Sequence, residues 1–140
     1  MWRRAAAGYL MVLEPACRAW RLDDALPRIA AFGFPALVLA LGHVIVAAAA
    51  ILAGRAVLRN DGTVATFGRL WAAGALVVAI ASWLTPYFPV TRPPSERRLV
   101  LGIAIGWFLA WYLVLPRFDR AESPGPENAP DVEPQSRARR

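Results

Sequence analysis

Three apolar stretches free of formal charge, separated by short polar segments, set the plan of this chain. The first runs over 33–53, GFPALVLALGHVIVAAAAILA, with Arg28 before it and Arg55 after it. Twenty-one residues at about 1.5 Å each cover the roughly 30 Å hydrocarbon core of a bilayer. The second covers 70–88, LWAAGALVVAIASWLTPYF, and the third 99–115, near the short limit for a span. The apolar residues come in blocks and not in the spaced stripe of a soluble core helix, so the pattern predicts an all-α membrane protein with three transmembrane helices. Asn60-Asp61-Gly62 reads as a turn, with Thr63 or Thr66 able to cap the next helix, so the first two spans form a tight antiparallel hairpin. The first spanning helix begins near Ala25, after the Asp23-Asp24 cap, and bends at Pro35.

The segment ahead of the spans is patterned differently. At 100° per residue, Trp2, Ala6, Tyr9, Leu13, Ala16 and Trp20 share one side, while Arg3, Arg4, Glu14, Arg18 and Arg21 share the other. Aromatic residues and leucine opposite arginine predict an amphipathic helix lying in the membrane interface over 1–24, with its arginines in water and a kink at Pro15. At the other end, 117–140 holds four prolines after Leu115-Pro116, mixed charge and no aromatic beyond Phe118, the composition of a disordered polar tail. The chain thus divides into an interfacial helix (1–24), a three-helix transmembrane domain (25–116) and a tail (117–140).

Composition sharpens this reading. The chain of 140 residues is 57% hydrophobic with a mean hydropathy of +0.39, above the soluble norm. All sixteen basic residues are arginine, read as the coding bias of a GC-rich genome; the expected location is a prokaryotic plasma membrane. The net charge of +6 is spread as +2 over each of 1–28, 54–69 and 89–98, with 117–140 neutral. Basic charge bordering apolar spans suits anionic headgroups, and no one element concentrates enough to track nucleic acid. The arginines nearest the spans favour a cytoplasmic N-terminus by a narrow margin, and three spans then put the C-terminal tail outside.

Aromatic residues at span ends mark the membrane interface: Trp71 at one end of the second span, Trp83 and Tyr87 at the other, with Trp2, Tyr9 and Trp20 on the N-terminal helix. Two small-residue faces predict helix packing. One is Gly102, Gly106 and Ala110 on the third span; the other is Ala36, Ala40 and Ala47 on the face of the first that carries His43. Trp107 and Trp111, one turn apart near mid-span, are expected to fill a helix interface.

His43, the single histidine, is the one residue whose chemistry stands out. A mid-span imidazole on an alanine-lined face points at protein. It hydrogen-bonds across to Ser82, Thr85 or a backbone carbonyl, or it holds a haem, a pigment or a quinone. The layout resembles that of small three-span anchors of respiratory complexes such as succinate dehydrogenase, which implies a redox role; no family motif surrounds His43. No P-loop, nucleophile elbow, zinc spacing or dinucleotide fingerprint is present, and the lone Cys17 excludes an internal disulfide. No catalytic residue and no metal ligand set is assigned. The expected function is a non-catalytic accessory, assembly or structural subunit acting through helix–helix contacts with another membrane protein or with itself. The alternatives are a haem-, pigment- or quinone-binding anchor using His43 and a holin-like pore-former.

Overall fold

A computed structural model describes residues 1–59, 62–84 and 94–120. All its regular elements are helices, with no strand among the described residues. They are α1 (Trp2–Gly8), a π-helical turn (Tyr9–Leu13), α2 (Glu14–Phe32), α3 (Phe34–Arg59), α4 (Val64–Leu84), α5 (Pro94–Val114) and the short α6 (Arg117–Arg120). α3 and α4 are long and apolar enough to cross a membrane; α5 holds a shorter apolar stretch, Arg98–Val114. Tyr87 and 121–140, the bulk of the expected disordered tail, lie outside the described residues. The part of that tail that is described, 117–120, is helical.

The break between the first two long helices falls at Gly33, not as a bend at Pro35. Gly33 has φ +67°, a conformation that favours glycine, and its N–H caps α2 by donating to Ile29 O at 2.8 Å. Its own carbonyl accepts from Leu37 N–H at 3.2 Å and opens α3, so one residue closes one helix and starts the next. Pro35 then occupies the first turn of α3, where its missing N–H costs nothing.

This reversal folds α1, the π turn and α2 back along the whole of α3. Ala7, Leu10 and Met11 meet Gly54, and Arg18 meets His43, as antiparallel helices require. A helix lying flat across the ends of the spans would bring none of these together. α4 packs antiparallel on α3, with Gly42 against Val78 and Gly74 against Val46. α5 packs antiparallel on α4, with Leu115 over Gly68 and Trp111 over Trp71. The result is an up-down-up-down arrangement of four helical rods. Arg3 Nη2–H donates to Phe118 O at 2.7 Å, so the N-terminus and residue 118 share one end of the bundle.

Alanine is the commonest residue of the interior, with Ala36, Ala40, Ala50, Ala53 and Ala75 among those buried, and it packs beside Leu10, Leu39, Val46, Val57, Val64, Trp71, Val78, Phe108 and Leu115. The outer faces carry Ile45 (68% exposed), Val77 (65%), Ile103 (63%) and Leu113 (66%).

Candidate functional site

The centre of the bundle is polar, and the N-terminal helix makes it so. Glu14 and Arg18 are one turn apart on α2, at i and i+4, and are 5% and 7% exposed. Arg18 donates to Glu14 Oε1 from Nε at 2.9 Å and from Nη2 at 2.7 Å. The same oxygen accepts from the indole Nε1–H of Trp71 at 3.3 Å. Each charge thereby enters the interior already neutralised, which is the condition for burying it. The remaining edge of the guanidinium, Nη1, lies 3.2 Å from His43 Nδ1, and its carbon sits 5.8 Å from the centre of the Phe108 ring.

His43 is 4% exposed, and its neighbours set its tautomer. Arg18 can only donate, so Nδ1 accepts and the ring is neutral with its proton on Nε2. Ser82 donates to Val78 O at 2.7 Å, which leaves its Oγ as an acceptor 3.5 Å from His43 Nε2. A chain of polar contacts therefore runs from Trp71 through Glu14, Arg18 and His43 to Ser82, joining α2, α3 and α4. Ligation of a metal by His43 would require one of these contacts to break, since both ring nitrogens face a side chain of this protein.

An aromatic layer lies beside it. The Tyr9 ring stacks on Trp111 at 5.4 Å and meets Trp71 and Trp107 edge-on at 6.2 and 5.7 Å. Trp107 Nε1–H donates to Tyr9 Oη at 2.8 Å, so the phenol has a partner. Trp71 also meets Phe108 edge-on at 5.8 Å.

The π turn supports this layer. Glu14 N–H donates to Tyr9 O, five residues back, immediately ahead of Pro15. Proline offers no N–H and its ring crowds the carbonyl four residues earlier, here that of Met11; a widened turn answers both. Where the sequence predicts a kink at Pro15, the helix carries this π turn.

A cavity of about 250 Å³ opens beside the polar chain. Its floor is His43, Ala79 and Ser82; α2 supplies Cys17 and Arg21, and α5 supplies Val100, Leu101 and Ala104.

The residues predicted from sequence end up in different surroundings. Ala36 and Ala40 are buried and Ala47 half-buried, on the side of α3 that carries His43. Gly102, Gly106 and Ala110 are exposed, and a Cβ added at either glycine meets nothing within 4 Å. The close approaches of this chain fall instead at Gly54 and Gly68. Trp2 (84% exposed), Trp20 (78%) and Trp83 (37%) reach the outside. Tyr9 is half-buried, and Trp71, expected at a membrane interface, is fully buried at the centre. Arg18, expected to face water, is buried as well. The reason is that the helix packs lengthwise on α3: Trp2 and Trp20 look outward, as do Arg4 and Arg21, while Glu14 and Arg18 are pressed into the bundle.

Glu14 and Arg18 are thus the functional candidates that sequence reasoning missed. Their i,i+4 spacing was the available signal, because it allows a pair to enter an apolar environment without net charge. Among the described residues no three of His, Cys, Asp and Glu converge on a point that could hold a metal ion. In comparison with known proteins, no family model, no curated protein and no solved structure matches this chain.

Proposed function

We propose that the protein is a multi-pass membrane protein of a prokaryotic plasma membrane with a non-catalytic role, an accessory or assembly subunit that binds its partner through helix–helix contacts. One observation supports this best: an outer shell of large apolar side chains surrounds an alanine-rich interior that holds self-paired polar groups. In water such a shell would drive association, whereas in lipid it costs nothing, and close helix contact there rests on small residues. On this reading α3, α4 and α5 span the bilayer, and the N-terminal helix stands among them as a fourth rod. The polar chain holds α2, α3 and α4 in register; its donors and acceptors meet one another and leave no exposed pair poised for acid–base work. The outward glycines of α5 offer a partner helix a close approach. A haem- or pigment-binding role fits less well, since His43 is held at both nitrogens.

The test has two parts. Alkaline carbonate should leave the protein in the membrane fraction, and extraction into the supernatant would refute the membrane reading. On native gels of gently solubilised membranes the chain should migrate in an assembly larger than its own 15.3 kDa, and Gly106→Leu should shift it to the monomer. Migration as a monomer throughout would count against the accessory role. A Soret or chlorophyll band lost in His43→Gln would replace it with the cofactor-subunit reading.

A further inference from the structure

The cavity lies in the seam between α2 and α5. Among the described residues α2 packs on α3, α3 on α4 and α4 on α5, while α2 with α5 is not among the closely packed pairs. That seam is bridged by side chains, with Arg18 over Phe108, and the cavity is lined from both sides of it. Ser82 is two residues from the end of α4 and Val100 six residues into α5, so the floor and far wall lie about 3 to 10 Å from that end of the rods. In a bilayer this is the depth at which headgroups give way to acyl chains.

The charges facing the cavity are Glu14, Arg18 and Arg21. Glu14 and Arg18 neutralise each other. Arg21 stands one turn further along α2, exposed, with no ion pair to any described residue. One cation without an ion pair among the described residues, exposed beside a cavity whose α5 wall is Val100, Leu101 and Phe108, matches one negative head on an apolar tail. We propose that this seam binds an anionic lipid, its head held by Arg21 beside the cavity and its chain laid against α5. The head is a phosphodiester or a carboxylate; the two share this chemistry and are separated by the test.

The inference rests on the membrane reading above, and the experiment keeps the two apart. Full-length protein in neutral maltoside micelles is melted, and examined by native mass spectrometry, with phosphatidylglycerol, phosphatidylcholine, oleate or inorganic phosphate added. Phosphatidylglycerol should raise Tm by several degrees and remain bound one per chain, because a ligand of the folded state alone stabilises it in proportion to its saturation. Oleate matching that shift assigns a carboxylate-tolerant site; no effect of oleate assigns a phosphodiester site. Arg21→Gln should leave the lipid-free Tm unchanged and abolish the shift, and Arg21→Lys should restore part of it. An equal shift from phosphatidylcholine, a full shift from inorganic phosphate, or an undiminished shift in Arg21→Gln would each overturn the proposal. Release by carbonate together with retention of one phosphatidylglycerol per chain would defeat the membrane reading while leaving this site standing.

Discussion

Arg18 has donors on three nitrogens, and each is directed at a fixed acceptor, two at Glu14 and one at His43. Removing one member of such a set leaves a buried charge uncompensated, which costs about 3–5 kcal/mol, far more than the pair itself is worth. Arg18→Met should therefore sharply lower the thermal stability of the protein in detergent, and Glu14→Gln likewise. The double variant Glu14→Leu with Arg18→Met should recover most of the loss, since apolar replacements of a buried pair are often neutral. Equal and additive losses would show that the pair is solvated and not buried. His43 sits at the next link. His43→Gln retains a donor and an acceptor and should accumulate normally. His43→Leu deprives both Arg18 and Ser82 of a neighbour and should lose about 0.6 to 2 kcal/mol in a melt, the range for hydrogen bonds between membrane helices.

The apolar character of α3 and α4 and the alanine face around His43 could be read from the chain, because each is local in sequence; Asn60 and Asp61 of the expected turn lie outside the described residues. The orientation of the N-terminal helix could not be read in this way. Its wheel separates aromatic residues from arginines correctly, but a wheel does not say whether the charged side meets water or protein. Only the reversal at Gly33, which lays this helix along α3, decides that. The glycines are a second case. The spacing of Gly102 and Gly106 signals a close approach that meets no atom of this chain, while the rods themselves come close at Gly54 and Gly68. A Cβ on Gly54 would fall against Met11 Cγ and 3.2 Å from both Ala7 O and Leu10 Cβ, and one on Gly68 would lie 2.7 Å from Leu115 Cδ1. Gly54→Val should therefore destabilise the monomer by about 1–3 kcal/mol or more through overpacking. Gly106→Leu should leave monomer stability unchanged and alter only assembly with a partner. If Gly106→Leu melts below Gly54→Val in dilute detergent, the N-terminal helix does not lie on α3 as described.

Counting rods changes the expected topology. Three spans would put residues 3 and 118 on opposite sides, but the Arg3 to Phe118 hydrogen bond holds these two residues at one end of four antiparallel rods. Recounting arginines by end changes the charge balance as well. Arg3, Arg4, Arg55, Arg59, Arg69, Arg117 and Arg120 belong to the end that carries the termini. Arg28, Arg97 and Arg98 belong to the other end. Arg18 is internal and Arg21 lines the cavity, so neither counts for a loop. The narrow margin obtained with three spans thus becomes a clear bias, and positive charge is retained on the cytoplasmic side. Both termini are therefore expected in the cytoplasm. Reporters that fluoresce only in the cytoplasm should be active when fused at either end, while a periplasmic phosphatase fused at residue 140 should be silent. Cysteine introduced at Gly62 should resist membrane-impermeant thiol reagent applied from outside, and cysteine at Pro27 should react. Reporters active at one terminus only would mean that the N-terminal helix leaves α3 in the membrane and lies flat on its surface.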